Sequence, residues 1–322
     1  MVSQFLSKYK IKNFKLSKIT QEGSERVYYR IHTEKKTYVL CVTYPFLDQD
    51  NFIVISKYLL KKKAKVPKLL GYSTCEGLIL LEDAGNLFLQ DRIAKFKQKK
   101  DKSKIINLYK KILIELSTWH TFVDPPDAVI HRFFDKAKLN FEIDFFLERL
   151  KIHNFPIRNN SLKKFLREIN NILSDPKHTY VFTHRDFHSR NILIKKGKFK
   201  IIDYQDARMG LCWYDLSSIL FDPYIQLDLE TIEILYKYYC KLNSIEEEVQ
   251  REIFYLQAIQ RLTKALGSFL FLGYEKQKPQ FFKYIIPALE FLLKLCTLVQ
   301  SSHAIFLFYE QLYDFVKKKK LS

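Results

Sequence analysis

Glycine and proline are scarce in this chain. Only 8 and 9 occur among 322 residues, which argues against long disordered linkers. Cysteine is sparse too. Cys41, Cys75, Cys212, Cys240 and Cys296 are odd in number, far apart and without a CxxC pair. Nothing in that spacing suggests a disulfide framework or a zinc site, and a reducing compartment is expected. The opening stretch MVSQFLSKYKIKNFK has no continuous apolar region of the signal-peptide kind. The most apolar later stretch, Tyr284 to Phe308, is interrupted by Glu290, Lys294 and His303. It reads as a buried amphipathic helix rather than a membrane span. A cytoplasmic protein with no membrane span is expected, and no internal repeat is visible.

What is present is ordinary globular composition, 47% hydrophobic and 28% charged. The length suits one two-lobed domain or two small ones. A net charge of +19 raises the question of nucleic acid. The lysines are scattered, however, and Phe, Tyr, Ile, Lys and Asn are all abundant, as AT-rich coding produces. This argues against nucleic acid as the partner. The charge still favours any anionic ligand by steering.

Two β-rich runs, Val27 to His32 and Thr37 to Thr43, follow a polar loop, Gln21 to Arg26. Asn51 to Lys63 has helical periodicity. Leu69 to Tyr72 and Leu78 to Leu81 read as further strands, and Glu82-Asp83-Ala84-Gly85-Asn86 breaks the pattern. Beyond it helix dominates. Ser103 to Phe122 carries a broad apolar face with Ser103 as its expected N-cap. Lys138 to Leu150, Leu162 to Leu173, Thr231 to Leu242, Ile245 to Leu272 and Gln280 to Val299 are also helical by pattern. A short β segment intervenes at Tyr180 to Thr183, Ile192 to Ile194 and Phe199 to Ile202.

The chemistry sits in that β segment. Thr183-His184-Arg185-Asp186-Phe187-His188-Ser189-Arg190-Asn191 leads into an apolar strand, and the next strand closes on Asp203. HRD alone is a weak signal. With Asn five residues on and Asp ending the following strand, the pattern matches what phosphoryl transfer from ATP needs. Asp186 is the candidate base for the acceptor hydroxyl. Asn191 and Asp203 are the candidate oxygen ligands for Mg²⁺, which keeps several waters and asks little of the protein.

These residues resemble the catalytic loop and metal-binding aspartate of the kinase-like fold, and more narrowly the aminoglycoside phosphotransferase and choline kinase family. His188 stands where protein kinases carry lysine, and Asp203-Tyr204-Gln205 stands for their DFG. Gly210-Leu211-Cys212-Trp213-Tyr214-Asp215-Leu216 is similar to the family's Asp-Leu motif, so Asp215 is expected to brace the catalytic loop, as is His184. Gly23-Ser24-Glu25-Arg26-Val27-Tyr28-Tyr29-Arg30, Leu80-Leu81-Glu82-Asp83-Ala84-Gly85, Asp203-Tyr204-Gln205-Asp206-Ala207 and Gln260 to Phe269 resemble motifs of bacterial N-acetylmuramate and N-acetylglucosamine (anomeric amino-sugar) kinases. The resemblance implies an α+β, two-lobed, protein-kinase-like fold: a small antiparallel β N-lobe over residues 1–85 and a helical C-lobe over 86–322. It implies that Gly23, Ser24, Arg26 and Arg30 approach the phosphates. Backbone groups of Glu82, Asp83 and Ala84 would meet the adenine. Arg190 and Asp206 are candidates for touching the sugar or phosphates, and His120 for packing or a bracing hydrogen bond.

One departure stands out. Cys41 occupies the strand position where kinase-like folds usually carry lysine, and the helix Asn51 to Lys63 has no Glu. Both halves of the expected ion pair are missing together, as they must be, since one alone is an uncompensated charge. Arg26 or Arg30 is then the candidate replacement. The expected function is an ATP- and Mg²⁺-dependent kinase acting on a hydroxyl of a small molecule, a cell-wall amino sugar first and an aminoglycoside or choline-type acceptor next. A non-catalytic nucleotide-binding pseudokinase or a basic binding module is the rival from another class.

Overall fold

The structure, a computed structural model, describes residues 1–19, 26–155, 160–301 and 303–319. Gly23 and Ser24 lie outside the described residues.

A short helix, α1 (Val2–Lys8), precedes five strands: β1 (Lys15–Ile19), β2 (Val27–His32), β3 (Thr37–Val42), β4 (Leu69–Ser73) and β5 (Leu78–Glu82). They form an antiparallel sheet of order β1-β2-β3-β5-β4. The period of two decides what each face covers. Ile31, Leu40, Leu78 and Leu80 pack beneath Phe5 and Leu6 of α1. Cys41, Ile79 and Leu81 point the other way, toward α2 (Asn51–Lys61), where Phe52, Ile53, Ile55 and Leu59 are buried. Asp50 caps α2 by accepting from the Phe52 N–H.

The segment from Asp83 to Asn86 joins this sheet to the helical part. Gly85 there has φ +95°, and a Cβ would meet Lys195 at 3.2 Å, so the turn requires glycine. After β6 (Leu87–Phe88) come α3 (Leu89–Gln98), α4 (Lys102–His120), α5 (Asp127–Ile130), α6 (Lys136–Ile152) and α7 (Asn160–Leu173). Short strands β7 (Val181–Thr183), β8 (Ile192–Lys195), β9 (Lys198–Ile201) and β10 (Arg208–Gly210) follow. The rest is α8 (Cys212–Leu220), α9 (Leu229–Leu242), α10 (Glu247–Leu270), α11 (Ile285–Leu298) and α12 (His303–Lys319). β6 pairs with β8 and β8 with β9, while β7 pairs with β10.

Helix α10 is the spine of the helical lobe, packing on α6, α7, α8 and α11. At Gly267 a Cβ would lie 3.0 Å from the Phe146 backbone, so glycine sets how closely α10 approaches α6. The two-lobed, protein-kinase-like α+β architecture is therefore present.

Several boundaries differ from the sequence reading. Asp101, not Ser103, caps α4, its carboxylate accepting from Lys104 N–H at 3.0 Å. A carboxylate there also complements the helix dipole, which a serine does not. α10 ends at Leu270 and passes into a π turn at Phe271–Glu275. The predicted helix over Gln280 to Val299 begins as a 3₁₀ turn, Pro279–Tyr284, because proline opens it. The apolar stretch Tyr284 to Phe308 is split between α11 and α12. No described helix is long and apolar enough to cross a membrane.

Candidate active site

The loop between β7 and β8 is held by side chains at both ends. Asp215, fully buried in the first turn of α8, accepts from His184 N–H and from Arg185 N–H at 3.0 Å. Arg185 is left-handed, with φ 82°, a costly conformation for arginine that these bonds maintain. His184 Nδ1 accepts from Asp186 N–H at 3.2 Å, so its Nε2 is the donor to the Ile202 carbonyl at 2.9 Å. His120 binds the Tyr239 hydroxyl through Nδ1, and its Nε2 lies 3.8 Å from Asp215. The loop thus hangs on α8 and on the end of β9.

That arrangement brings the three chemical residues together. Asn191 closes a 3₁₀ turn, Ser189–Asn191, and its Nδ2 donates to the Asp186 carbonyl at 2.9 Å and to Asp203 Oδ2 at 3.3 Å. Ile202 N–H donates to the Asn191 carbonyl at 2.9 Å, fixing Asp203 beside it. Asp203 itself is left-handed, φ 69°, another strained non-glycine position. With its amide nitrogen committed, Asn191 has its side-chain oxygen left, next to the Asp203 carboxylate.

Asp186 carries more charge around it than the sequence suggested. Its Oδ1 accepts from Lys264 Nζ at 2.8 Å and from Arg261 at 3.1 Å, both on α10. Its Oδ2 has Arg185 Nε at 3.9 Å. Burial alone would raise this carboxyl, but Lys264, Arg185 and Arg261 reverse that and hold it well below the usual range. His188, two residues on, is pushed down to about 3 by burial, with Asp186 pulling the other way, and so is neutral at physiological pH.

The remaining predicted residues fall around this centre. Arg190 lies over the rings of Tyr224 and Phe281, at 5.1 and 5.6 Å. Asp206 pairs with Arg132 at 2.7 Å and with Arg185 at 3.0 Å. Arg30 reaches the connecting segment, with Nε 3.2 Å from one Asp83 oxygen and a terminal nitrogen 2.9 Å from the Gly85 carbonyl. Asp83 also takes the Thr37 hydroxyl and Gly85 N–H, and Lys195 Nζ donates to its carbonyl at 2.7 Å. Glu82 forms an ion pair with Lys200 at 3.4 Å, and Ala84 is buried. Arg26 pairs with Asp50 at 3.4 Å and lies over Phe52. Cys41 is buried, opposite Tyr28 and Ile79, and burial pushes its thiol up to about 11. Tyr204, next to Asp203, stacks on Phe52 of α2 at 5.5 Å and bonds the Ser56 hydroxyl at 2.9 Å.

A cavity of about 870 Å³ is lined by Arg30, Glu82, Ala84, Arg190, Tyr204 and Asp206 of these groups. The sheet contributes Val39 and Leu81 to it, the helical lobe Tyr224, Phe269 and Phe281, and Asp186, Asn191 and Asp203 share the same space. Among the described residues no three His, Cys, Asp or Glu side chains cluster as an all-protein metal cage. Asn191 and Asp203 instead offer two hard oxygen donors, a set that fits Mg²⁺ completed by phosphate oxygens and water.

Arg261 and Lys264 were missed as site residues. Their segment, Gln260 to Phe269, is one of the matching motifs, and spacing of i, i+3 on one helix does place them on one face. Nothing local connects them to an aspartate 75 and 78 residues away.

Known proteins place this geometry. Residues 15–251 match the phosphotransferase enzyme family, APH. An N-acetylmuramate/N-acetylglucosamine kinase of Neisseria meningitidis serogroup B is 24% identical, with 86% of each chain covered. The ethanolamine kinase of Plasmodium vivax superposes with a TM-score of 0.61 at 15% identity, covering 89% of this chain and 83% of that one. Choline kinase LicA from Streptococcus pneumoniae gives 0.61 at 16%, covering 94% and 100%. The ADP-bound aminoglycoside phosphotransferase APH(2'')-Ib gives 0.58 at 17%, covering 95% and 98%. The loop that closes on Asp203, the lobe order and the matched residues agree, and the chain belongs to the phosphotransferase enzyme family, whose members pass a phosphoryl group to a hydroxyl acceptor.

Proposed function

We propose that this protein transfers the γ-phosphoryl group of ATP to a hydroxyl of a cell-wall amino sugar of the N-acetylmuramate or N-acetylglucosamine kind, in the cytoplasm. Residues 1–85 hold the nucleotide and 86–322 carry the loop and the acceptor side. The observation that carries the reading is the meeting of Asp186, Asn191 and Asp203 at one cavity wall.

Asn191 Oδ1 and the Asp203 carboxylate would hold Mg²⁺, which supplies charge neutralisation at the phosphate oxygens. Asp186 Oδ1 is fixed by Lys264 and Arg261, so Oδ2 is the oxygen that faces the acceptor hydroxyl. A carboxylate held so far below its ordinary range orients that hydroxyl and takes its proton late, which a loose transition state permits. The apolar walls of Val39 and Leu81 suit a purine ring, with Glu82 and Ala84 lining the cavity on either side of Asp83.

The aromatic lining of the acceptor side supports a sugar. Arg190, Arg261 and Lys264 line the cavity beside the aromatic rings of Tyr224, Phe269 and Phe281. The same cavity also carries Asp206 and Asp222, so the aromatic rings rather than the charge favour a sugar. Sugar rings have apolar faces that pack on aromatic rings.

The test is a coupled assay with ATP and Mg²⁺ over N-acetylmuramate, N-acetylglucosamine, an aminoglycoside and choline, with thermal shift in parallel. Turnover is expected with an amino sugar and stabilisation by the nucleotide. Stabilisation without turnover would favour a pseudokinase, and neither result would leave a basic binding module.

A further inference from the structure

Phosphoryl transfer needs a cation beside the group in transit, and the usual positions here hold none. Cys41 in β3 is a buried thiol, and His188 beside the catalytic aspartate is neutral. Arg30 is drawn to Asp83 and Gly85 at the connecting segment, and Arg26 to Asp50.

Two cations reach the reacting centre from α10 instead. Arg261 is fixed at both ends, Nε donating to the Ser218 hydroxyl at 2.9 Å and a terminal nitrogen to Asp186. Lys264 differs. Among the described residues its Nζ has one hydrogen-bond partner, Asp186 Oδ1, although an ammonium group carries three protons. Its side chain is 13% exposed and lines the cavity. It therefore has donors to spare in the space where a phosphoryl group would pass between nucleotide and acceptor.

We propose that Lys264, carried by the helical lobe, is the cation that contacts the phosphoryl group in transit. This rests on the phosphotransfer reading above. In the step, a bond forms between the acceptor oxygen and the γ-phosphorus. The bond from that phosphorus to the β,γ-bridging oxygen breaks, and its electron pair leaves with ADP. The acceptor proton passes to Asp186, and Lys264 keeps its own. Its contact with Asp186 Oδ1 keeps the acceptor-binding carboxylate and the phosphoryl site in one fixed relation.

The experiment measures binding of ADP with Mg²⁺, with and without aluminium fluoride, which mimics the phosphoryl group in flight. The parent protein is expected to bind ADP more tightly when fluoroaluminate is present. Lys264→Met should lose that gain by about tenfold or more while ADP alone binds within about twofold of the parent. Lys264→Arg should restore most of the gain. In the transfer assay, kcat should fall in Lys264→Met with the KM for ATP unchanged. If Lys264→Met keeps the full fluoroaluminate gain, or loses affinity for ADP alone to the same extent, the assignment is overturned. A parent that shows no gain overturns the phosphotransfer reading itself. Should Lys264→Met fail to fold, Lys264→Gln carries the same comparison.

Discussion

Arg30 and Asp83, 53 residues apart, form an ion pair of two contacts, at 3.2 and 3.3 Å, that joins the second strand to the segment between the lobes. The Asp83 side chain is 4% exposed, so its charge depends on this partner, on Thr37 and on Lys195. Arg30→Ala should cost about 2 kcal/mol, less than the loss of a lone buried partner, because the other contacts remain. It should also raise the KM for ATP. Chemical denaturation and steady-state kinetics check both.

The same carboxylate predicts a pH response. Burial opposes ionisation of Asp83, but the Thr37 and Gly85 hydrogen bonds and the Arg30 and Lys195 charges lower its pKa overall. The unfolded value is about 3.9. The folded group therefore binds its proton less readily, and its stabilisation is complete above the unfolded value. It is lost as pH falls through the folded value. Arg30→Ala should lose less stability than the parent between pH 5 and the acid limit, in urea titrations repeated across that range.

Asp215→Ala removes the acceptor for two loop N–H groups, His184 and Arg185, in a fully buried place. A loss of about 3 kcal/mol is expected, with activity abolished because the strained Arg185 backbone is released. Asp215→Asn keeps one acceptor oxygen and should cost less. Equal losses in the two variants would argue against the brace.

Cys41→Lys restores the familiar strand lysine but not its partner. α2 has no acidic residue, and Cys41 is buried in the same apolar core as Phe52, Ile53 and Ile55. The variant should lose about 3 kcal/mol or more and gain no activity. A rise in kcat would contradict the view that the cation comes from elsewhere.

Asp186→Asn should reduce kcat by about 10²- to 10⁴-fold while ATP affinity holds, since its proposed role is at the acceptor rather than the nucleotide. In the parent, the depressed Asp186 carboxyl implies no loss of activity from this group as pH falls from 7 to 5. A pH–rate profile checks it.

The catalytic loop was readable because its chemistry is local. Asp186, Asn191 and Asp203 span 18 residues, and strands on either side force the turn. The sheet was readable for the same reason, by alternation at Val27 to His32 and Thr37 to Val42. What was not readable depends on distant partners. Asp83 looked like a backbone contact for a nucleotide, yet its side chain gathers Arg30, Thr37 and Lys195 from three strands. Arg30, a candidate phosphate ligand, lines the cavity, and its pairing with Asp83 is what the sequence did not reveal. α1 and β1 were missed because the lysine-rich stretch between Val2 and Ile19 hides a small apolar set, Phe5, Leu6 and Ile11.

The stacking of Tyr204 on Phe52 binds the neighbour of Asp203 to a helix of the opposite lobe. Any displacement of that helix relative to the helical lobe pulls on Asp203, the proposed ion ligand. On the proposed reading the two ligands are then linked: a nucleotide that drew the lobes together would strengthen divalent-ion affinity. Thermodynamic reciprocity requires the ion to strengthen nucleotide affinity by the same factor. Loosening the aromatic contact should weaken that cooperativity before it weakens either ligand taken alone.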